Sequence, residues 1–351
     1  MGLLDFLLLK ITNQSRNNVK KILGSRCVLV DGAVVTQFDI QLAKGDVVTV
    51  SSVPMSKGKN PKFGFLGHTE TVEYIEGRNT NPFELSIVED KIFGLGVCDM
   101  KGGIAAILDA VSKIDFNKLK YGVKLYFTYD EEIGFNGIYD IIKSNEVFPK
   151  LMIFGEPTNN EILFGSKGLL EYELNFKGLK AHSSNPEKGI SANMNAIKCL
   201  MELEMFYKEN IKCFEDKNYD ITYTTMNVGV INGGSAKNSV AANCSITMDF
   251  RIVKKEHIKM IKEEIEYLSK KYNFDINILE CVEPFINIIE GFNSEIKTAN
   301  FITEASFTKN GNKIILGPGS VTAHEINEYI TKESYNKLVK QYIEIIQKIC
   351  K

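Results

Sequence analysis

Hydrophobic and polar positions change their spacing along the chain and separate it into segments of different type. From about Phe63 onwards, short apolar runs alternate with segments whose apolar residues recur every three or four positions. This is typical of strands that alternate with helices in an α/β layer, and the pattern returns near the C-terminus. The predicted strands are Phe63–Leu66, Val123–Thr128, Leu151–Phe154 and Ile314–Leu316, and the predicted helices are Gly103–Ile114, Asn136–Ser144 and Thr331–Lys348.

A different order of elements lies between residues 169 and 281. A strand and a helix are followed by two strands, a second helix and a last strand, which is the order of a ferredoxin-like α+β fold. His257 falls in the second, Lys/Glu-rich helix, and we expect it to be a solvated surface residue. The strands are predicted at Leu170–Phe176, Thr222–Ile231, Asn243–Arg251 and Phe274–Leu279, and the helices at Ile190–Glu209 and Lys254–Lys271.

The first 52 residues form a third pattern, that of a small α+β domain. Helical spacing runs through Leu3–Lys10 and again through Val19–Leu23, and short apolar strands follow at Cys27–Val30 and Val47–Val50. Turns are predicted at Asp31-Gly32 and at Lys44–Asp46, and residues 51–61, rich in Ser, Pro, Lys and Gly, are predicted to be a linker. The expected segments are 1–52 (small domain), 53–168 (first part of the α/β layer), 169–281 (insert) and 282–351 (second part).

Composition narrows the class of protein. The 351 residues are 44% apolar and 25% charged with a formal net charge of −2, which gives no reason for the whole molecule to coat nucleic acid or an anionic membrane. No apolar run reaches the roughly 20 residues that span a bilayer. The opening Met1–Lys10 lacks a basic start, so we expect a folded helix there, not a targeting segment. Seven cysteines without a Cys-x-x-Cys pair favour a reducing compartment, the cytoplasm.

Candidate chemistry gathers where predicted strands end. Two short motifs, Gly67-His68-Thr69-Glu70 and Ala323-His324-Glu325, each contain a histidine followed by a carboxylate, and three acidic loops lie between them. A lone histidine is more often a core residue than a ligand, and an acidic run is usually a solvated loop. Five such motifs in order at strand ends favour a joint site instead, because two zinc ions accept imidazole nitrogen and carboxylate oxygen. The acidic loops are Cys98–Gly103, Asp130–Gly134 and Gly155–Thr158.

These motifs resemble those of the metallopeptidase family that includes acetylornithine deacetylase, succinyl-diaminopimelate desuccinylase, aminoacylase and glutamate carboxypeptidase. The stretches Asp99-Met-Lys-Gly-Gly103 and Gly155-Glu-Pro-Thr158 are the most specific, and the resemblance extends from Phe63 to the C-terminus. It implies a zinc-peptidase-like catalytic domain, whose mixed sheet is flanked by helices, with a ferredoxin-like lid. The implied metal ligands are His68 and Glu156 for one zinc, Glu132 and His324 for the other, and Asp99 as the bridge.

The resemblance also implies roles for residues that do not bind metal. Glu131 would be the general base, and His182 of the insert would stabilise the oxyanion in the other subunit of a homodimer formed through the lid. Asn238, Arg251 and Gly319 would bind substrate, with the Arg251 fork suited to a carboxylate. The ligand set accepts Co²⁺ or Mn²⁺ as well as Zn²⁺.

Three departures from the family pattern stand out. Glu70, expected to orient His68, replaces the usual aspartate, and Leu95 stands where arginine is common. The helix and strand that usually precede the first histidine are not recognisable before Phe63.

The small N-terminal domain resembles the alpha-L RNA-binding domain of pseudouridine synthases, a small-subunit ribosomal protein and tyrosyl-tRNA synthetases. The matching stretches are Ser15–Val19, Val28–Gly32 and Leu42–Asp46. A helix with Arg16, Lys20 and Lys21, together with Arg26, could meet phosphates. The alternative is a packing or dimer module.

The expected function is metal-dependent hydrolysis of the amide bond of an N-acyl amino acid, most similar to that of acetylornithine deacetylase. Two alternatives within the family are a dipeptidase or carboxypeptidase and a desuccinylase. A third alternative, of a different class, is a non-catalytic RNA-associated scaffold, which need not bind metal.

Overall fold

Two compact units make up the chain, residues 1–60 and residues 61–351. The computed structural model describes all residues except 1–2, 11–14, 25–26, 31–32, 36, 38, 43–46, 51–60, 145, 291, 293–294, 309–311 and 320–321. The predicted turns at 31–32 and 44–46, Arg26 and nearly all of the predicted linker lie outside the described residues.

The first unit has two helices and a small three-stranded antiparallel sheet. Its core is built from apolar side chains at helical spacing, including Leu3, Leu7, Val19 and Leu23, and from Val28 of the central strand. The described elements are α1 (Leu3–Lys10), α2 (Arg16–Gly24), β1 (Val28–Val30), β2 (Ala33–Val34) and β3 (Val48–Val50).

The second unit contains the predicted α/β layer. Its described α-helices and strands up to residue 154 are β4 (Pro61–His68), β5 (Ser86–Val88), β6 (Lys91–Phe93), α3 (Lys101–Ser112), β7 (Gly122–Thr128), α4 (Glu131–Gly134), α5 (Asn136–Lys143) and β8 (Leu151–Phe154). Those that follow are β9 (Gly165–Ser166), β10 (Gly168–Lys177), α6 (Ala192–Phe206), β11 (Thr225–Gly233), β12 (Asn243–Ile252), α7 (Lys255–Tyr272), β13 (Phe274–Val282), β14 (Phe285–Ile286), β15 (Asn312–Ile315), β16 (Tyr329–Thr331) and α8 (Lys332–Cys350).

A four-stranded sheet of order β15-β8-β4-β7 organises the α/β layer. Its named strands pair in parallel, and an antiparallel bridge between Leu163 and Ile315 makes the layer mixed. All four residues of β8 are buried, as expected for a strand covered on both faces. The carboxyl ends of these parallel strands therefore meet at one edge of the sheet, where open α/β sheets hold their ligands.

The second layer is an antiparallel sheet of order β11-β12-β10-β13. Buried and partly exposed residues alternate along β12, so one face packs against α6 and α7 while the other does not. The chain order is strand, helix, two strands, helix, strand, and most element ends lie within three residues of their predicted positions. The core of this layer joins Leu170, Leu174, Ile246, Phe250 and Ile261.

The prediction that His257 is a solvated residue was wrong. Its side chain is buried, with 3% of its surface exposed, and its Nδ1 lies 2.9 Å from Thr224 Oγ1. The same hydroxyl accepts the Val253 N–H at 3.0 Å. His257 lies at the margin of the apolar stripe of α7. The lysine and glutamate residues beside it in the sequence made a solvated position the more natural prediction.

No helix among the described residues is long and apolar enough to cross a membrane. None of the seven cysteines, all of which the structure describes, forms a disulfide.

Candidate metal centre

The site forms at the carboxyl edge of the parallel sheet. His68 is the last residue of β4, and none of its surface is exposed. Glu131 and Glu132 begin the short helix after β7, and Glu156 follows β8 by two residues. The strands deliver these side chains to one place because they run in parallel.

Asp99 lies at the centre of the cluster. Its Oδ1 is 3.2 Å from His68 Nε2, and its Oδ2 is 3.3 Å from His324 Nε2. His324 Nε2 is also 3.2 Å from Glu132 Oε1. One carboxylate thus faces two imidazoles with its two different oxygens, which is the arrangement a bridging ligand needs. Ligand atoms of His68, Asp99 and Glu132 all lie within 4.8 Å of one another.

The electrostatics of the cluster fit bound cations. Burial raises the pKa of Glu156 well above its ordinary value, and Asp99 and Glu131 raise it further through their charge. Burial also raises the pKa of Glu131 to about 8 and that of Glu132 above its ordinary value. Packed acidic groups of this kind are costly without compensating positive charge. Divalent cations would supply it, and the carboxylate and imidazole donors suit zinc.

The pKa values of the two histidines lie above the ordinary range, which favours the protonated imidazoles at neutral pH. Burial opposes protonation of His68, but its hydrogen bond to Asp99 and the surrounding carboxylates raise its pKa to about 9. The hydrogen bond to Asp99 is the main cause that raises the pKa of His324 to about 9. Burial would raise the pKa of Asp99, but hydrogen bonds from His324 and His68 outweigh it and hold that pKa well below its ordinary value. A metal would displace these protons, because it needs the imidazole nitrogen lone pair.

Glu70 connects His68 to Glu131. His68 Nδ1 lies 3.2 Å from the Glu70 carbonyl oxygen and 3.7 Å from its Oε1. Glu70 Oε1 accepts the backbone N–H of Glu131. The backbone of Glu70 thus orients the imidazole and leaves Nε2 towards Asp99, while its longer side chain holds the start of the Glu131–Glu132 loop.

Glycines in the specific motifs bring these loops together. A Cβ at Gly103 would stand 2.6 Å from the Gly155 carbonyl oxygen, and one at Gly317 would stand 2.1 Å from the Glu156 carbonyl oxygen. Side chains at these positions would push the loops apart, so the glycines allow the Asp99 and Glu156 loops to meet.

The remaining predicted site residues lie elsewhere: His182, Asn238 and Arg251 in the second layer, and Gly319 in the segment after β15. His182 is exposed, and its Nδ1 is 2.7 Å from Ser184 Oγ. Asn238 lies beside it, because its carbonyl oxygen accepts the Ser183 N–H at 3.0 Å. Arg251 donates from Nε to Asp249 Oδ1 at 3.0 Å. Gly319 donates its N–H to Ser334 Oγ at 2.9 Å.

Two buried glutamates near the site were not among the predicted site residues. Glu304 is 1% exposed, and its Oε2 accepts the Thr128 hydroxyl at 2.8 Å; burial raises its pKa to about 7. Glu328 is 3% exposed and accepts backbone N–H groups of the Asp99 loop. One signal in the sequence is that each stands in a short, otherwise uncharged run, Thr303–Ser306 and Ile326–Ile330.

Two histidines and several carboxylates that surround Asp99 at the edge of a parallel sheet are typical of a metal-binding site. The chain matches the peptidase family M20/M25/M40 over residues 64–348 and belongs to that family. The family is metal-dependent, and its membership identifies the chain as a hydrolase that acts on amide bonds.

Individual relatives agree with this assignment. The chain is 34% identical over 308 residues to the acetylornithine deacetylase of Buchnera aphidicola subsp. Schizaphis graminum, covering 79% of this chain and 80% of that one. It is 32% identical over 338 residues to the acetylornithine deacetylase of Photorhabdus laumondii, covering 87% of each. The crystal structure of aminopeptidase PepT from Bacillus cereus matches with a TM-score of 0.69 at 19% identity, covering 95% of this chain and 93% of that chain. That likeness shows a shared fold.

Proposed function

We propose that this chain is a two-metal deacylase that hydrolyses the amide bond of an N-acyl amino acid, with acetylated substrates similar to N-acetylornithine as the first candidates. The observation that carries the proposal is Asp99, whose two carboxylate oxygens each face a different histidine. The relatives named acetylornithine deacetylase support the acetyl group.

The proposed ligands divide into two sets around Asp99. His68 and Glu156 would hold one cation, and Glu132 and His324 the other. When bound, a pair of zinc ions (or Co²⁺ or Mn²⁺) would polarise the scissile carbonyl and acidify a water molecule. Zinc is the first choice because mixed imidazole and carboxylate sets suit it.

Glu131 is the proposed general base. It lies next to the ligand Glu132, and Glu70 holds its backbone N–H. Burial raises its pKa to about 8, and bound cations nearby would lower that pKa so that the carboxylate is ionised at neutral pH. The carboxylate would take a proton from the attacking water and later deliver it to the departing amine.

Replacing Glu131 tests this role. Glu131→Gln keeps the size of the side chain but removes the base, so we expect kcat to fall by about 10²–10⁴-fold while both metals stay bound. Asp130→Asn is the matched control, because Asp130 is the adjacent carboxylate, half-buried, and its Oδ2 accepts the Asn136 side-chain N–H at 3.1 Å. Turnover of Glu131→Gln near the wild-type rate would remove Glu131 from the base role.

The same protein preparation can be used to measure substrate specificity. We expect amine release from N-acetyl amino acids to exceed release from N-succinyl-diaminopimelate and from dipeptides in a parallel panel. Arg251 is the proposed contact of the substrate carboxylate, and Asn238 and Gly319 are further proposed substrate contacts. Faster turnover of dipeptides would assign the chain to the peptidase branch of the family instead.

We further propose that the second layer is a ferredoxin-like lid that forms a homodimer. Helix α6 exposes four apolar side chains at spacings of three and four, and β11 is an outer strand of its sheet. A second copy of the chain fits such a surface, because a two-fold interface joins the same patch on both subunits. The exposed side chains are Met194, Ile197, Met201 and Met205.

A dimer would let the exposed His182 serve the partner's site. In that case His182→Ala and Glu131→Gln subunits complement each other, because a mixed dimer contains one complete site. Random exchange gives about half mixed dimers, so about one quarter of wild-type activity should return. Each variant alone is the control, and no recovery in verified mixed dimers would exclude sharing of the site.

The first unit is the proposed RNA-contacting domain. Arg16 and Lys20 are exposed on α2, where cations could meet phosphates. We expect the full chain to bind a short hairpin RNA with an affinity that falls as salt rises, and Arg16→Glu to weaken it. Binding unaffected by both changes would favour a packing role for this unit. The thiol state of the seven cysteines supports the cytoplasm as the compartment.

A further inference from the structure

Glu328 is a buried carboxylate whose partners among the described residues are backbone N–H groups of the Asp99 loop. Its Oε2 accepts the Gly96 N–H at 2.7 Å. Its Oε1 accepts the N–H groups of Cys98 at 2.8 Å and of Asp99 at 3.0 Å. Three N–H groups that converge on one carboxylate form a compact anion-binding turn, and here a side chain of the same protein fills it.

The conformation of the loop depends on this contact. Gly96 has φ +81°, a left-handed conformation that glycine adopts at little cost and that turns its N–H towards Glu328. Without an acceptor these buried N–H groups would be unsatisfied, which costs free energy at each group. Glu328 therefore selects one conformation of the loop that carries Asp99.

The same residue is joined closely to His324. Thr322 and Tyr329 close the segment that contains both residues, because the Thr322 hydroxyl donates to the Tyr329 carbonyl oxygen at 2.7 Å and accepts its N–H at 2.9 Å. Strand β16 then pairs with β6, with Tyr329 opposite Phe93. Glu328 thus lies where the His324 segment meets the start of the Asp99 loop.

We propose that Glu328 is a positioning residue that fixes the bridging carboxylate of Asp99 relative to His324. The inference rests on the proposed two-metal function, because it concerns the geometry of that site. The Asp99 Oδ2 to His324 Nε2 distance of 3.3 Å is set by two loops, and the Glu328 carboxylate connects them. The metal held between Asp99, Glu132 and His324 should depend on Glu328 more strongly than the metal on the His68 side, since both loops contribute to that site.

Glu328→Gln tests the proposal with little change in shape. The amide places an NH₂ group opposite at least one of the three backbone N–H groups, so at least one hydrogen bond is lost. We expect the variant to remain folded and to bind its first Co²⁺ as the wild type does. Affinity for the second Co²⁺ should fall by about 10–100-fold, as is usual when a group that supports a metal ligand is removed. Equilibrium dialysis and the visible absorption of Co²⁺ measure both steps without turnover.

Glu325→Gln is the matched control. Glu325 is exposed and adjacent to His324, so the variant loses the same charge near the site without touching the Asp99 loop. Glu328→Asp is the second variant, since it keeps the charge but is one methylene too short to reach all three N–H groups. It should lose affinity for the second Co²⁺ as Glu328→Gln does.

The outcomes separate the two proposals. Wild-type affinity for both metals in folded Glu328→Gln would overturn the positioning role, as would an equal loss in Glu325→Gln. Loss of the fold in both Glu328 variants would assign a purely structural role and overturn it too. A wild-type chain that binds fewer than two metals would instead refute the two-metal function and the inference with it.

Discussion

Gly103 is the position at which a single methyl group tests how the metal site is held together. A Cβ there would stand 2.6 Å from the Gly155 carbonyl oxygen, whereas ordinary contacts begin at 3.4 Å. Gly103→Ala therefore requires a displacement of 3.4 − 2.6 = 0.8 Å. The obstructing atom belongs to the backbone, so it cannot rotate away as a flexible side chain can.

Two opposing effects decide the magnitude. Alanine in place of glycine stabilises a helix by up to about 1 kcal/mol, whereas overpacking a buried contact costs about 1–3 kcal/mol. The second effect is larger, so we expect a net loss of about 1 kcal/mol. Gly155 immediately precedes the proposed ligand Glu156, and catalytic groups must be held to within about 0.5 Å. Because a misplacement of about 1 Å can cost about 100-fold in rate, kcat/KM should fall by about 10–100-fold.

Urea unfolding and amine-release kinetics on the same preparations measure the two effects. Ala105→Gly is the control, because Ala105 is exposed on the same helix; it should lose about 1 kcal/mol and keep its activity. A Gly103→Ala protein that is more stable than the wild type and fully active would refute the close approach of α3 to the Glu156 loop.

Two further predictions concern pH. Metal affinity, measured by chelator competition, should rise between pH 6 and 9, because binding requires neutral imidazole. Burial opposes protonation of His68, but its hydrogen bond to Asp99 and the surrounding carboxylates together raise its pKa to about 9. The hydrogen bond to Asp99 is the main cause that raises the pKa of His324 to about 9. The charged histidines should stabilise the metal-free fold. This contribution to the free energy of unfolding should be complete below the ordinary pKa of 6.5 and should be lost as pH rises through 9. A metal affinity and a thermal midpoint of the metal-free protein that both stay constant with pH would contradict the ligand roles of His68 and His324. Burial lowers the pKa of His257. The contribution of His257 to the free energy of unfolding therefore has the opposite pH dependence: it is present above pH 6.5 and is lost as pH falls. His257→Ala should therefore reduce the free energy of unfolding by about 1–3 kcal/mol at pH 8 and by less at pH 5, and equal losses at both pH values would argue against a buried neutral imidazole.

Much of the α/β layer follows from local pattern. Apolar runs such as Leu151–Phe154 are strands because both faces are covered, and the strand ends in the structure lie close to those predicted from sequence. The joint placement of His68 and Glu156 was also predictable, because parallel strands bring their carboxyl ends to one edge.

Residues whose role depends on distant partners were not predictable. Glu328 accepts hydrogen bonds from residues 229 to 232 positions away in the chain, and no spacing rule encodes that contact. His257 was misjudged for a similar reason, since its partner Thr224 lies 33 positions away. In both cases a polar side chain can be buried because a group distant in the sequence forms hydrogen bonds with it.

Titration of the metal-free protein with Zn²⁺ or Co²⁺, followed by turnover of an N-acetyl amino acid at each step, tests the two-metal hydrolase most directly. We expect binding to saturate at two equivalents and full activity to require the second. Saturation at one equivalent with full activity would contradict the bridging role of Asp99, and absence of both binding and turnover would contradict the proposed function as a whole.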